Sequence, residues 1–310
     1  MIIDTHFHGF PKGIFNRLGR AASDSVRRTP IRTFDIEEYI QVLDKYEVDI
    51  GVLSLPSGHT YALNDRDQAR DTARFVNDTY AEACRKHPNR FKAFANLPMK
   101  YPEETLTEME RALDELKLNG VCIPTNVDGE SLDEEKFALF FEEANKRRTP
   151  VFMHPINAPC EGRWLKFSFL QKIGWPTDST LAIYRMAASG LFERFPQFPF
   201  IASHLGGAIT FYPDRLNWRE GDLFCTESPE YYFKRIYYDT AGPVRSEAIK
   251  CVCDFAGADH VVFGSDYPFG REGKDDQFYP MTLDAMESLD VSKGDKEKIF
   301  YKNAEKIFKL

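Results

Sequence analysis

Eight short apolar runs, separated by longer amphipathic segments, recur along the chain. The runs are residues 2–5, 50–53, 91–95, 120–123, 151–153, 200–203, 236–239 and 261–264. Each has the length of one buried strand, and the intervening segments carry apolar side chains at the spacing of a helix face. Eight strands that alternate with helices over 310 residues are typical of a (β/α)8 barrel, the TIM barrel of the α/β class.

No linker or low-complexity tract divides this pattern, so we predict one barrel domain over residues 1–310. The clearest helices are predicted over residues 35–46, 102–116 and 133–146, because each segment places its apolar side chains on one stripe. The last of these begins at Asp133, whose side chain is suited to cap a helix N-terminus.

Charge and composition exclude two classes of partner. The formal net charge is −8 and no dense lysine or arginine run is present, which argues against nucleic acid. No apolar run approaches the roughly 20 residues that span a bilayer, and no signal-peptide pattern opens the chain.

The six cysteines are scattered, as is typical of reduced thiols, and Cys251-x-Cys253 is interpreted as a pair of packing residues. We therefore expect a cytoplasmic protein.

Histidines and one aspartate fall where predicted strands end. His6 and His8 lie two residues apart on the first strand and so share one face, while His154, His204 and Asp266 end the fifth, sixth and eighth strands. The carboxyl ends of barrel strands meet at one rim, where the chemistry of this fold is located. A hydrogen-bonded histidine or a helix-capping aspartate would explain each residue singly, but together they predict a metal site.

The remaining histidines provide a contrast. His87 and His260 precede strands and are therefore assigned structural roles at the opposite end of the barrel. His59 follows the second strand on the active-site side. It is either a substrate contact or a solvated loop residue.

These motifs resemble the amidohydrolase superfamily, and within it the branch of the aminocarboxymuconate-semialdehyde and resorcylate-type decarboxylases. The resemblance is carried by Asp4-Thr5-His6-Phe7-His8, Asn96-Leu97-Pro98-Met99, His154-Pro155, Gly174-Trp175-Pro176-Thr177-Asp178-Ser179-Thr180, Ser203-His204-Leu205-Gly206-Gly207-Ala208 and Phe263-Gly264-Ser265-Asp266-Tyr267-Pro268-Phe269. It implies that His6, His8, His154 and Asp266 bind the metal. It also implies that His204 is a catalytic acid/base, and Asp266 could combine ligation with proton transfer.

Binuclear members of that superfamily carry a carboxylated lysine after the fourth strand. Here that strand continues into Pro124-Thr125-Asn126 without a lysine, so we expect a single divalent metal ion. Three imidazoles and one carboxylate favour Zn²⁺, with Mn²⁺ as the alternative.

The resemblance predicts a metal-dependent decarboxylase, a carbon–carbon lyase acting on a small aromatic or unsaturated carboxylic acid. A metal-dependent hydrolase of a lactone, ester or amide is the first alternative, because the same residues could activate water. A barrel that keeps a metal only for stability is the second, and the acid/base His204 beside an open site argues against it.

Three residues are candidates for substrate recognition. Arg163 lies on the loop after the fifth strand and Trp175 in the Gly-Trp-Pro turn, although a solvated arginine and a packed indole are equally compatible with these positions. The resemblance further implies a homodimer in which an arginine after the sixth strand reaches the neighbouring active site. Arg219 is the candidate, and a surface ion pair with Glu220 or Asp222 is the alternative.

Overall fold

Eight parallel strands form the centre of the computed structural model, which describes residues 1–18, 32–56, 63–156, 169–217, 224–270 and 276–310. In chain order the barrel strands are β1 Ile3–His8, β2 Ile50–Ser54, β3 Phe91–Asn96, β4 Gly120–Pro124, β5 Val151–His154, β6 Phe200–Ala202, β7 Tyr237–Asp239 and β8 Val261–Val262. Each strand pairs with its neighbours in sequence. All eight predicted strands are therefore confirmed.

The first and last strands close the barrel. The Thr5 amide donates to the Phe263 carbonyl at 2.9 Å, and the His8 amide donates to the Tyr267 carbonyl at 2.8 Å. Phe7 and Tyr267 also form a parallel bridge across this seam. The structure is thus the predicted (β/α)8 barrel, and a short antiparallel hairpin, Asn126–Val127 with Glu130–Ser131, follows β4.

Helices surround the strands. The α-helices are α1 Ile14–Arg17, α2 Ile36–Lys45, α3 Arg66–Lys86, α4 Pro102–Glu110, α5 Ala138–Arg147, α6 Trp175–Ala188, α7 Leu191–Arg194, α8 Pro213–Leu216, α9 Pro229–Phe233, α10 Ser246–Ala256, α11 Phe278–Glu287, α12 Lys293–Glu297 and α13 Asn303–Phe308. Wider π-helical turns (Arg111–Glu115, Leu170–Gly174 and Lys298–Lys302) and 3₁₀ turns (Glu135–Phe137, His204–Gly206 and Ala258–His260) adjoin them. Among the described helices, none is both long and apolar enough to cross a membrane.

Two of the three predicted helices match closely, and the third begins late. Asp35 caps α2 by accepting hydrogen bonds from the amides of Glu37 and Glu38. Asp133 does not cap α5, because its carboxylate accepts two hydrogen bonds from the guanidinium of Arg185, at 2.9 and 3.0 Å. The chain therefore forms a 3₁₀ turn before α5 begins at Ala138.

A packed layer of side chains fills the barrel interior. Every strand contributes one buried side chain to it, and α13 covers its lower end with Ala304, Ile307 and Phe308. The strand residues of this layer are Ile3, Val52, Phe94, Cys122, Phe152, Ile201, Tyr237 and Val262. The interior is therefore a solid floor, so polar chemistry is confined to the rim above it.

Candidate metal centre

The rim formed by the carboxyl ends of the strands carries each predicted site residue that the structure describes. His8 and His154 end β1 and β5, His204 begins the 3₁₀ turn after β6, and Asp266 lies in the segment after β8. His87 and His260 lie instead before β3 and β8, at the opposite end, where His260 Nδ1 lies 3.1 Å from the Ile236 carbonyl oxygen.

Four of the rim side chains converge on one point. One potential ligand atom from each of His6, His8, His154 and Asp266 lies within 4.8 Å of every other, and all four residues are buried. Nε2 of His6 lies 2.8 Å from Nε2 of His8. Oδ1 of Asp266 lies 3.2 Å from Nε2 of His8 and 3.4 Å from Nε2 of His6.

Outer contacts orient the three imidazoles. Nδ1 of His6 lies 2.6 Å from Oδ2 of Asp239, Nδ1 of His8 lies 3.0 Å from the Ser54 hydroxyl, and Nδ1 of His154 lies 2.9 Å from the Pro155 carbonyl. Each contact can accept a proton carried on Nδ1, which leaves the Nε2 lone pair directed at the centre of the cluster. This is the arrangement that metal-binding histidines usually show.

The carboxylates in and beside the cluster favour a positive charge at its centre. Burial lowers the pKa of the His6 ring, but the carboxylates of Asp239 and Asp266 outweigh burial and raise it to about 10. Burial and the charge of His6 lower the pKa of His8 to about 4. Burial opposes ionisation of Asp266, yet the imidazoles of His204, His6 and His8 hold its pKa well below the usual range. Two buried carboxylates therefore attract a cation to this point.

A divalent metal ion fits this environment. Oδ1 of Asp266 is buried and accepts no hydrogen bond from the described residues, although imidazole nitrogens face it. Three imidazole nitrogens and one carboxylate oxygen are ligands that zinc and other first-row metals prefer. β4 ends at Pro124 and no lysine follows it in the rim segment, so the four residues form one site for one metal ion.

His204 lies beside the cluster. Its Nε2 is 3.8 Å from Oδ2 of Asp266, and its ring centroid lies 5.0 Å from that of His6 and 5.2 Å from that of His154. Its side chain is 18% exposed, whereas that of His6 is fully buried. The ring can therefore meet both the cluster and a molecule that enters from the rim.

A cavity of about 740 Å³ opens next to His204. Trp175 borders it, and the indole ring centroid lies 6.2 Å from that of His154, so this predicted substrate residue does reach the site region. The cations Lys172 and Arg245 also line the cavity, together with the carboxylate of Glu247. Arg163, Arg219 and His59 lie outside the described residues.

No disulfide bond joins any two of the described cysteines, which are Cys84, Cys122, Cys225, Cys251 and Cys253. Cys251 and Cys253 are only partly buried, and Cys251 borders the cavity beside His204. The remaining cysteine, Cys160, lies outside the described residues.

Asp239 is not among the site residues predicted from the sequence. This residue ends β7 and holds His6 from behind, so it belongs to the site as much as the ligands do. The signal that identified Asp266, a carboxylate at the end of a strand, was present at Asp239 as well. Ser54 ends β2 in the same way and was also missed.

A TIM barrel whose rim gathers three histidines and one aspartate around a single point defines a class of metal-binding barrel proteins. Within this class the chain belongs to the amidohydrolase family, whose model matches residues 3–310.

Similar proteins include decarboxylases. The chain is 29% identical over 297 residues to gamma-resorcylate decarboxylase of Polaromonas sp., covering 90% of this chain and 89% of the relative. It is 32% identical over 243 residues to 2-amino-3-carboxymuconate-6-semialdehyde decarboxylase of Dictyostelium discoideum, covering 76% and 67%.

A solved structure agrees over the full length. The crystal structure of 5-carboxyvanillate decarboxylase from Novosphingobium aromaticivorans, complexed with manganese and 4-hydroxy-3-methoxy-5-nitrobenzoic acid, superimposes with a TM-score of 0.87. It is 26% identical, and the match covers 100% of this chain and 96% of the other. That protein thus binds a metal and a small aromatic carboxylate on the same fold.

Proposed function

We propose that the protein is a metal-dependent decarboxylase of a small aromatic or unsaturated carboxylic acid. The observation that carries this proposal is the placement of His204, a partly exposed imidazole 3.8 Å from Asp266 that is not one of the four converging ligands. In this proposal His6, His8, His154 and Asp266 hold one divalent ion. His204 is the catalytic acid/base, and Asp266 both binds the ion and takes part in proton transfer.

The residues divide the reaction between them. When bound, the ion supplies a Lewis acid that withdraws electron density from substrate oxygens. Protonated His204 delivers its proton to the carbon that bears the carboxylate. The carbon–carbon bond then breaks, its electron pair restores the double bond that was used to accept the proton, and carbon dioxide leaves. His204 takes a new proton from solvent, which its 18% exposure permits.

The cavity beside His204 supports an aromatic or unsaturated acid as substrate. Its volume of about 740 Å³ is sufficient for a single ring with substituents. Trp175 offers an aromatic surface, and Lys172 and Arg245 offer positive charge for a carboxylate or phenolate. Arg163 and Arg219 remain proposed substrate contacts from the sequence.

The decisive experiment measures the products of the metal-loaded protein. The panel contains 2,6-dihydroxybenzoate, 5-carboxyvanillate and a carboxymuconate semialdehyde, with lactones, esters and amides as the comparison set. We expect carbon dioxide, and reaction in D2O should place one deuterium on the carbon that lost its carboxylate. Acid release from the comparison set without carbon dioxide would instead establish the hydrolase. A metal-loaded protein inert to both sets would favour a structural metal.

A further inference from the structure

We propose that Asp239 is a positioning residue that joins the metal-binding His6 to the turn that carries His204. Its part in turnover rests on the function proposed above, whereas its part in metal binding does not. Asp239 is the last residue of β7 and is fully buried, so it acts on substrate only through the groups that it holds.

The two oxygens of Asp239 serve different elements. Oδ2 accepts a hydrogen bond from Nδ1 of His6 at 2.6 Å. Oδ1 accepts from the backbone amide of His204 at 2.7 Å and from the amide of Ala241 at 3.0 Å. One carboxylate on β7 therefore connects β1, the turn after β6 and its own following loop.

The hydrogen bond between Asp239 and His6 determines which nitrogen of the His6 ring carries the proton. A carboxylate can only accept a hydrogen bond, so when the His6 ring is neutral, as it must be to bind a metal ion, its one proton is held on Nδ1. Nε2 is then left as a lone pair that faces His8 and Asp266. A partner that donates to Nδ1 would move the ring proton to Nε2 and block the ligand position.

The hydrogen bond to the His204 amide stabilises an unusual backbone conformation. Four successive residues have positive φ: His204 at 52°, Leu205 at 56°, Gly206 at 68° and Gly207 at 69°. Residues other than glycine rarely adopt this conformation, so the surrounding structure has to stabilise it. The hydrogen bond from the His204 amide to Asp239 ties the first residue of this run to the barrel.

Asparagine at this position separates the two contacts. It has nearly the same shape, but its side chain offers only one acceptor oxygen. If the oxygen faces His204 and Ala241, the amide group faces Nδ1 of His6. If the side chain turns over, the amide group faces the two backbone amides instead. Either orientation loses a contact that the carboxylate makes.

The test compares Asp239→Asn with Glu108→Gln. Glu108 is a carboxylate with 1% exposure that accepts hydrogen bonds from Asn77 and Arg111, between α3 and α4, and its hydrogen bonds to described residues reach none of the four converging residues. It controls for the general effect of neutralising a buried acid. Metal-free proteins are titrated with Mn²⁺ or Zn²⁺ against a chromophoric chelator, and kcat and KM are then measured at saturating metal.

We expect Asp239→Asn to weaken metal binding by about 10- to 100-fold, the usual effect of losing such an outer contact. At saturating metal its kcat should stay below that of the wild type, because the His204 turn is no longer held, while KM changes little. Glu108→Gln should lower the melting temperature with wild-type metal affinity and kcat. Wild-type metal affinity and kcat in a folded Asp239→Asn would overturn the proposal.

Two further readouts keep the test decisive. The metal titration needs no substrate, so it stands even if the protein proves not to be a decarboxylase. If Asp239→Asn does not fold, ¹H–¹⁵N spectra of the wild-type zinc form replace it. We expect a proton on Nδ1 of His6 that exchanges slowly with solvent, assigned by its loss in His6→Gln. An Nδ1 without a proton would overturn the proposal.

Discussion

At the scale of single residues, His204 is distinguished from the other rim histidines by its contacts. The rings of His6, His8 and His154 are buried and directed by outer partners toward one point, whereas His204 is partly exposed and borders the cavity. In the proposed function His204 moves a proton without holding the metal ion, so substitution of His204 separates proton transfer at this ring from metal binding.

His204→Asn should keep the metal and lose turnover. The four converging residues are untouched, so elemental analysis should find the wild-type metal content. Turnover should fall by roughly 10²- to 10⁴-fold, the usual contribution of one positioned proton-transfer group. Loss of metal from this variant would make His204 a ligand, and the division of roles would be wrong.

The four converging residues were predictable from the sequence, whereas their partner Asp239 was not. His6, His8, His154 and Asp266 could be found from the sequence because each lies in or just after a recognisable strand in a fold that places strand ends together. The role of Asp239 could not be predicted from the sequence. It depends on which carboxylate oxygen faces His6 and which faces the His204 amide, and that follows from the three-dimensional arrangement of β1, β6 and β7.

At the scale of elements, the turn after β6 is packed tightly against α6. A Cβ added at Gly207 would overlap the Pro176 carbonyl oxygen and lie 2.5 Å from the Thr180 hydroxyl, and φ at Gly207 is +69°. This turn carries His204, and α6 begins at Trp175. Both residues line the cavity, so the contact between the turn and α6 positions two of its walls. The strands were predictable from their apolar runs, whereas this close approach was not, because it depends on packing between distant segments.

Gly207→Ala should therefore lower turnover while keeping the metal, because it moves the His204 turn and α6 apart and leaves the ligands in place. We expect the free energy of unfolding to fall by about 1–3 kcal/mol. Gly257→Ala is the matched control, since φ there is +89° but nothing lies within 4 Å of an added Cβ. It should lower stability with normal kcat. Equal losses of kcat in both variants would contradict this account.

At the scale of the whole molecule, the described residues of the barrel gather one cluster that could hold a metal ion. Elemental analysis of the purified protein should find about one divalent metal per chain, with zinc proposed and manganese as the alternative. Because the ion binds only the folded chain, metal at 100 times its Kd should stabilise the protein by about 2.7 kcal/mol, measured as a higher melting temperature than in chelator. His6→Ala or His154→Ala should abolish that shift. A reproducible content near two would contradict the single site.

The predicted homodimer is also a property of the whole molecule. Large apolar side chains are exposed mainly between residues 169 and 224, including Phe211 at 68% and Phe224 at 77%. We expect sedimentation to give the mass of a dimer, and Phe224→Glu to shift it toward the monomer. Leu139→Glu, at a position 57% exposed on α5, should leave the mass unchanged. A wild-type monomer at every concentration would refute the dimer, and with it any reach of Arg219 into a second site. The single domain and the cytoplasmic location remain predictions.

The seam between β1 and β8 joins the first and the last of the proposed metal ligands to be made during synthesis. Asp4, two residues before His6, binds the Ser265 hydroxyl at 2.6 Å across a separation of 261 residues, and Asp266 follows directly. On the ribosome the two histidines of β1 emerge first and must wait for nearly the whole chain before their carboxylate partner is made. A nascent chain that stops short of β8 contains the three imidazoles without the carboxylate of Asp266. The four converging residues are therefore all present only after translation has passed Asp266, and a chain that stops earlier lacks one of the proposed ligands.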